Sequence, residues 1–89
     1  MRTIITVVGN DRPGIIAGIT AALYELNINI LDLSQTIMDN YFTMTMLVDH
    51  ANATKPFDEA KSHIMAAGGP LGVQVRIQRV DIFDAMHKL

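Results

Sequence analysis

Six residues near the start of the chain, Gly9-Asn10-Asp11-Arg12-Pro13-Gly14, have the types and spacing to hold an anion. Before them, residues 3–8 form an apolar, β-branched run; after them, Ile15, Ile16, Ile19, Leu23 and Leu26 recur at helical spacing. The six therefore make a strand-to-helix turn. Asp11 is placed to cap the helix, and Pro13 suits its first turn, where a missing N–H costs little. Gly14 puts no side chain over the helix start. Unpaired backbone N–H groups, with the positive end of the helix dipole behind them, then face any ligand. On the residues alone the turn serves equally well as a plain helix start.

The phosphate-binding motifs are absent. Gly9 and Gly14 satisfy the G-x-x-x-x-G spacing, but Ile15-Ile16 stands where a Walker A loop needs Lys followed by Ser or Thr. No G-x-G-x-x-G occurs, which removes the dinucleotide fingerprint. A small carboxylate is the guest these residues favour. Catalytic groupings are no better represented. His50, His63 and His87 have no metal-binding spacing, Asp58, Glu59 and Lys61 read as a solvated helix face, and Ser34 and Ser62 have no adjacent base. Arg12 is the only candidate for an acylphosphatase-type phosphate loop. Met44 and Met46 alternate with threonines, a pattern of core packing or a dimer face and not of a soft-metal site. RNA recognition would need aromatics sharing one face of the central strands. Tyr41 and Phe42, being adjacent, point to opposite faces. The expectation is a protein that is not an enzyme and uses no metal or cofactor.

Composition sets the frame. Eighty-nine residues make one domain, 1–89, and 49% of them are hydrophobic, which rules out disorder. A domain of this size buries only about 60–65% of its unfolded surface and gains from a partner. A net charge of −2 gives no general attraction to nucleic acid or to an anionic membrane. Without cysteine there is neither a disulfide nor a thiolate site, as suits a cytoplasmic protein. No stretch has the length of a signal-peptide core or a membrane span.

The elements that position the turn follow from periodicity. Strands are expected at residues 3–8, 28–38, 41–49 and 73–80, and helices at 13–26 and from 54 or 56 to 67. Asn27 suits a left-handed C-terminal position. Gly18 and Ala22 on the first helix point to close approach of the sheet. In the second strand Leu31, Leu33 and Ile37 are expected on one face and Ile30, Asp32, Ser34 and Thr36 on the other. Asp39-Asn40 reads as a hairpin turn. Phe42, Met44, Met46 and Val48 alternate with Thr43, Thr45 and Leu47, and Phe57, Ala60, Ile64 and Ala67 make the buried stripe of the second helix. Gly68-Gly69-Pro70 ends that helix, and Phe83 and Met86 give the 82–89 tail the spacing of a short terminal helix.

The order is β-α-β-β-α-β, an α+β ferredoxin-like fold with two helices on one face of a four-stranded antiparallel sheet of order 4-1-3-2. The second strand is then an edge, and no Lys, Arg or Pro guards it between positions 28 and 38. That predicts a homodimer formed through this strand or the neighbouring first helix.

Gly9-Asn10-Asp11-Arg12-Pro13-Gly14-Ile15-Ile16-Ala17, followed after a helix by Asn27-Ile28-Asn29-Ile30, resembles the ACT domain over residues 2–81. The chain looks like a small stand-alone member, similar to the ACT units of the glycine cleavage system repressor. The resemblance implies a regulatory module that binds an amino acid or similar effector between two ACT units. It would place Asn10, Asp11, Arg12, Pro13, Gly14 and Ile15 on the ligand from the first turn. Asn29, Ile30 and Leu31 would face them from the start of the second strand, with the second subunit as a candidate source. A rival reading on the same fold is a ligand-free module that dimerises or docks on an unidentified enzyme or regulator.

Overall fold

The computed structural model describes residues 1–81, so the 82–89 tail and its expected helix lie outside the described residues. The elements run β1 (Arg2–Asn10), α1 (Ile15–Glu25), β2 (Asn29–Met38), β3 (Tyr41–Asp49), α2 (Phe57–Gly68) and β4 (Val73–Arg79). The sheet is antiparallel with the order β2-β3-β1-β4, the ferredoxin-like arrangement. Alternation builds the core. Ile5 and Val7 of β1, Phe42, Met44, Met46 and Val48 of β3 and Ile77 of β4 point to one face. There they meet Ile15, Ile19 and Leu23 of α1 and Ala60 and Ile64 of α2. Each of the larger side chains contributes about 1.5–3 kcal/mol by leaving water. Phe57 and Ala67 pack against this core as partly buried neighbours, completing the α2 stripe. Asp58 and Glu59 sit in the first turn of α2, where the dipole favours them.

Four local expectations need correction. The first helix begins at Ile15 with Gly14 as its N-cap at φ 90°, and no side chain caps it. Asp11 lies three positions upstream of the cap, out of reach of the second and third helical N–H groups. Instead its own N–H donates to the Asn40 carbonyl at 2.8 Å, tying the turn to the β2–β3 hairpin. Pro13 likewise precedes the helix. Gly18 makes its close approach to a loop and not to the sheet: a Cβ there would lie 2.7 Å from Leu71 Cδ1.

The fourth correction concerns the faces of β2. Its pairing with β3 skips a residue between Ile30 and Asp32, a bulge at Leu31. Ile30 sits opposite Val48, while Leu33 and Ile37 sit opposite Met46 and Phe42, so all three share the core face. Leu31 is squeezed out of the alternation and is exposed. Asn27 (φ 57°) and Asp39 (φ 59°) adopt the left-handed conformations that their places at a helix end and a two-residue hairpin demand.

Candidate functional site

Between β1 and α1 the chain must leave the sheet and rise onto its helical face, and two glycines allow this for different reasons. At Gly9 a Cβ would lie 2.8 Å from Val73 Cγ1 and 3.1 Å from the Gly72 carbonyl oxygen, so its missing side chain admits β4. At Gly14 a Cβ would meet nothing within 4 Å, so its missing side chain leaves open space before the helix. The first backbone bond onto the turn runs from Gly18 N–H to the Gly14 carbonyl at 2.9 Å. The N–H groups of Ile15, Ile16 and Ala17, in the first turn of α1, have no helical i−4 carbonyl to donate to. Asn10, Asp11, Arg12, Pro13 and Gly14 are all exposed. The Ile15 side chain belongs to the core, leaving only its N–H for a ligand. Arg12 extends over the α2–β4 loop, with Nη1 3.3 Å from where a Cβ on Gly72 would stand. The arrangement offers backbone amide donors and one exposed cation, Arg12, to an anion.

The other half of the expected site is elsewhere. Asn29 pairs with Asp49, and Asp49 with Arg2 at the beginning of β1; Asn10, at its far end, pairs with Tyr41. The β1–α1 turn and the start of β2 are thus separated by the length of β1, eight residues and roughly 26 Å. One chain does not bring Asn10–Ile15 and Asn29–Leu31 together.

The β2 edge is open along its whole length among the described residues. Leu31 (47% exposed), Ile37 (53%) and Met38 (71%) leave it apolar as well as unpaired. A family model for the ACT domain matches residues 2–78. The chain belongs to the ACT domain family. A UPF0237 protein of Listeria monocytogenes is 55% identical over 89 residues, covering the whole of both chains. An ACT domain protein from Streptococcus pneumoniae is similar in structure, with a TM-score of 0.81, 42% identity and 94% of each chain covered. A structure assigned to a glycine cleavage system transcriptional repressor shares the fold at 23% identity and a TM-score of 0.75. That match covers 89% of this ACT domain and 45% of the other chain.

Two features of this ACT domain were not read from its sequence. An open surface depression of about 230 Å³ lies at the start of β2, bordered by Tyr24, Asn27, Ile28, Asn29 and Asn52. The Asn-Ile-Asn spacing signalled two of its walls. Asn52, in the β3–α2 loop, reaches it only through tertiary structure, its carbonyl accepting from Asn27 Nδ2 at 3.0 Å. The second feature is His50, buried at 8% exposure with Nε2 2.8 Å from Thr3 Oγ1 and Nδ1 without a partner among the described residues. Burial, and secondarily the N-terminal ammonium, hold its pKa below the usual imidazole range against an opposing pull from Asp49. Its role is in the core. His63 lies across the two helices from Glu25 at 3.8 Å, both exposed, a surface contact. No group of three or more His, Asp or Glu is placed to hold a metal ion among the described residues.

Proposed function

We propose that the chain is a regulatory module that binds a free amino acid between two copies, acting by binding and not by catalysis. The observation that carries this reading is the open, apolar edge of β2, which leaves room for a second copy. Were two copies to pair antiparallel along the full length of this edge, about a twofold axis at the middle of β2, Asn29 of one would stand near Met38 of the other. Met38 adjoins the hairpin tip, and that tip is bonded to the β1–α1 turn through Asp11 N–H and Asn40 O. That pairing would bring the start of β2 to the end of the molecule that carries its neighbour's turn. A carboxylate facing Ile15, Ile16 and Ala17 N–H is favoured by the dipole, about 0.3–1 kcal/mol when exposed, and by charge-assisted hydrogen bonds. The α-ammonium then faces the side-chain and backbone oxygens of residues 29–31. Family membership supports the same reading, since ACT domains are typically regulatory ligand-binding modules.

The test is a thermal-shift screen against the common amino acids, with the mass in solution measured alongside. Ligand at one hundred times its dissociation constant adds about 2.7 kcal/mol, a rise on the order of 10 °C in a domain of this size. No rise with any amino acid at millimolar concentration refutes the reading and favours the ligand-free docking module, which the same exposed edge would serve.

A further inference from the structure

We infer that His50 is an acid-operated latch on the β3–α2 connection: neutral, it holds residues 50–56 against the start of β1 and the end of α1; protonated, it leaves its site and lets them open while the sheet stays folded. The inference stands apart from the amino-acid reading. His50 and Thr3 are both buried polar side chains, and they meet, with Nε2 2.8 Å from Thr3 Oγ1. The ring also lies against Phe57 at the start of α2, the centroids 5.8 Å apart. One imidazole at the end of β3 thus joins β1 to α2. Around it the connection is held by few bonds. His50 N–H donates to the Met1 carbonyl at 2.8 Å, Thr54 N–H to the Leu26 carbonyl at 2.9 Å and Asn27 Nδ2 to the Asn52 carbonyl at 3.0 Å. Apart from His50 itself, Ala53 is the one partly buried residue of the connection; residues 51, 52 and 54–56 are exposed.

The site suits the neutral ring alone. A hydroxyl both donates and accepts, so Thr3 satisfies Nε2 in either tautomer. An imidazolium donates from both nitrogens, and Nδ1 is buried without a partner among the described residues. The charge is no better placed. The Met1 ammonium, from the start of β1, repels it, the Asp49 carboxylate on β3 attracts it, and α2 sets the uncharged Phe57 ring against it. Asp49 already accepts from Ala51 N–H at 3.0 Å and stands 4.0 Å from the ammonium. A buried imidazolium with one N–H unpaired is relieved at least cost by opening a connection that buries so little. The sheet is not the part that yields, because β1 and β3 stay paired from Arg2–Asp49 to Asn10–Tyr41. Opening releases the Leu26 carbonyl and the Asn27 side chain, which lead into β2.

The experiment follows native-state amide exchange in the intact protein from about pH 7.5 to 5, corrected for intrinsic rates, with the His50 imidazole observed by NMR in the same samples. The closed form holds the ring below its ordinary value of 6.5, so the open form takes up the proton first. The opening equilibrium therefore rises as pH falls through about 6.5, by up to roughly tenfold per pH unit, and levels off once the closed form is protonated as well. The amides of Ala53 and Thr54, bonded to the His50 and Leu26 carbonyls, should lose protection to that extent. Their exchange should be nearly insensitive to low urea, as small openings are, whereas Ile5 and Met46 in the sheet should show the full urea dependence of global unfolding. His50→Gln, which cannot charge, should make the protection of Ala53 and Thr54 independent of pH. Protection that stays constant in the wild type overturns the inference, as does a urea dependence at Ala53 and Thr54 equal to that of Ile5 and Met46. A folded His50→Gln protein with the wild-type pH dependence also overturns it. Where that variant does not fold, the wild type decides: a protonated His50 with Ala53 and Thr54 still protected overturns the latch.

Discussion

Replacing Gly14 separates the two jobs its position performs. At φ 90° any L residue is strained, by roughly 1–2 kcal/mol for most side chains and less for Asn, which tolerates the left-handed region. No atom lies within 4 Å of an added Cβ, so no steric term accompanies that strain. Gly14→Asn is therefore expected to cost under about 1 kcal/mol, a fall in Tm of a few degrees at most. Its side chain, however, enters the space in front of Ile15, Ile16 and Ala17. If a carboxylate takes two of those three N–H groups, each charge-assisted bond contributes about 1.5–3 kcal/mol. Losing both removes roughly 3–6 kcal/mol, at least a hundredfold in affinity. Calorimetry with glycine measures this, with thermal unfolding and sedimentation confirming an intact, equally associated protein. A Gly14→Asn protein that binds glycine with wild-type affinity would refute the placement of the carboxylate before α1.

Two further outcomes follow from the edge and from the core. Ile37→Lys puts a charge on the exposed β2 edge; by sedimentation at micromolar concentration the wild type is expected to be a dimer and this variant a folded monomer. His50 is held below the imidazole value of 6.5, so the unfolded chain takes up the proton first as pH falls. Its contribution to stability is thus complete above about pH 6.5 and is lost as pH drops toward the folded value; in urea titrations between pH 7 and 5, His50→Gln should flatten this dependence.

Much of the fold was legible because two periods dominate the chain. Phe42, Met44, Met46 and Val48 leave no alternative to a half-covered strand, and Ile15, Ile19 and Leu23 none to a helix on that face. What escaped was set by tertiary structure. Ile30 and Leu31 are adjacent aliphatics, and a period-two reading assigns one of them to each face; only the bulge puts Ile30 with Leu33. Asp11 and Pro13 carry helix-start chemistry, but the Asn40 carbonyl takes the Asp11 N–H and the chain needs the left-handed residue at 14 before it can turn upward. For the candidate site, residue types singled out the β1–α1 turn. Sheet register alone showed that Asn29–Leu31 stands a strand's length away, and Asn52 joined it from a loop that carries no motif.

The bond from Asp11 to the Asn40 carbonyl ties the β1–α1 turn, proposed to hold the ligand, to the β2 edge, proposed to meet a second copy, because the hairpin it anchors contains β2. An effector that orders the turn then orders the edge that a second copy must dock against. By thermodynamic reciprocity, whatever tightens association raises effector affinity by the same factor. Such a protein would sense its own abundance along with its ligand, saturating at lower effector levels when it is plentiful.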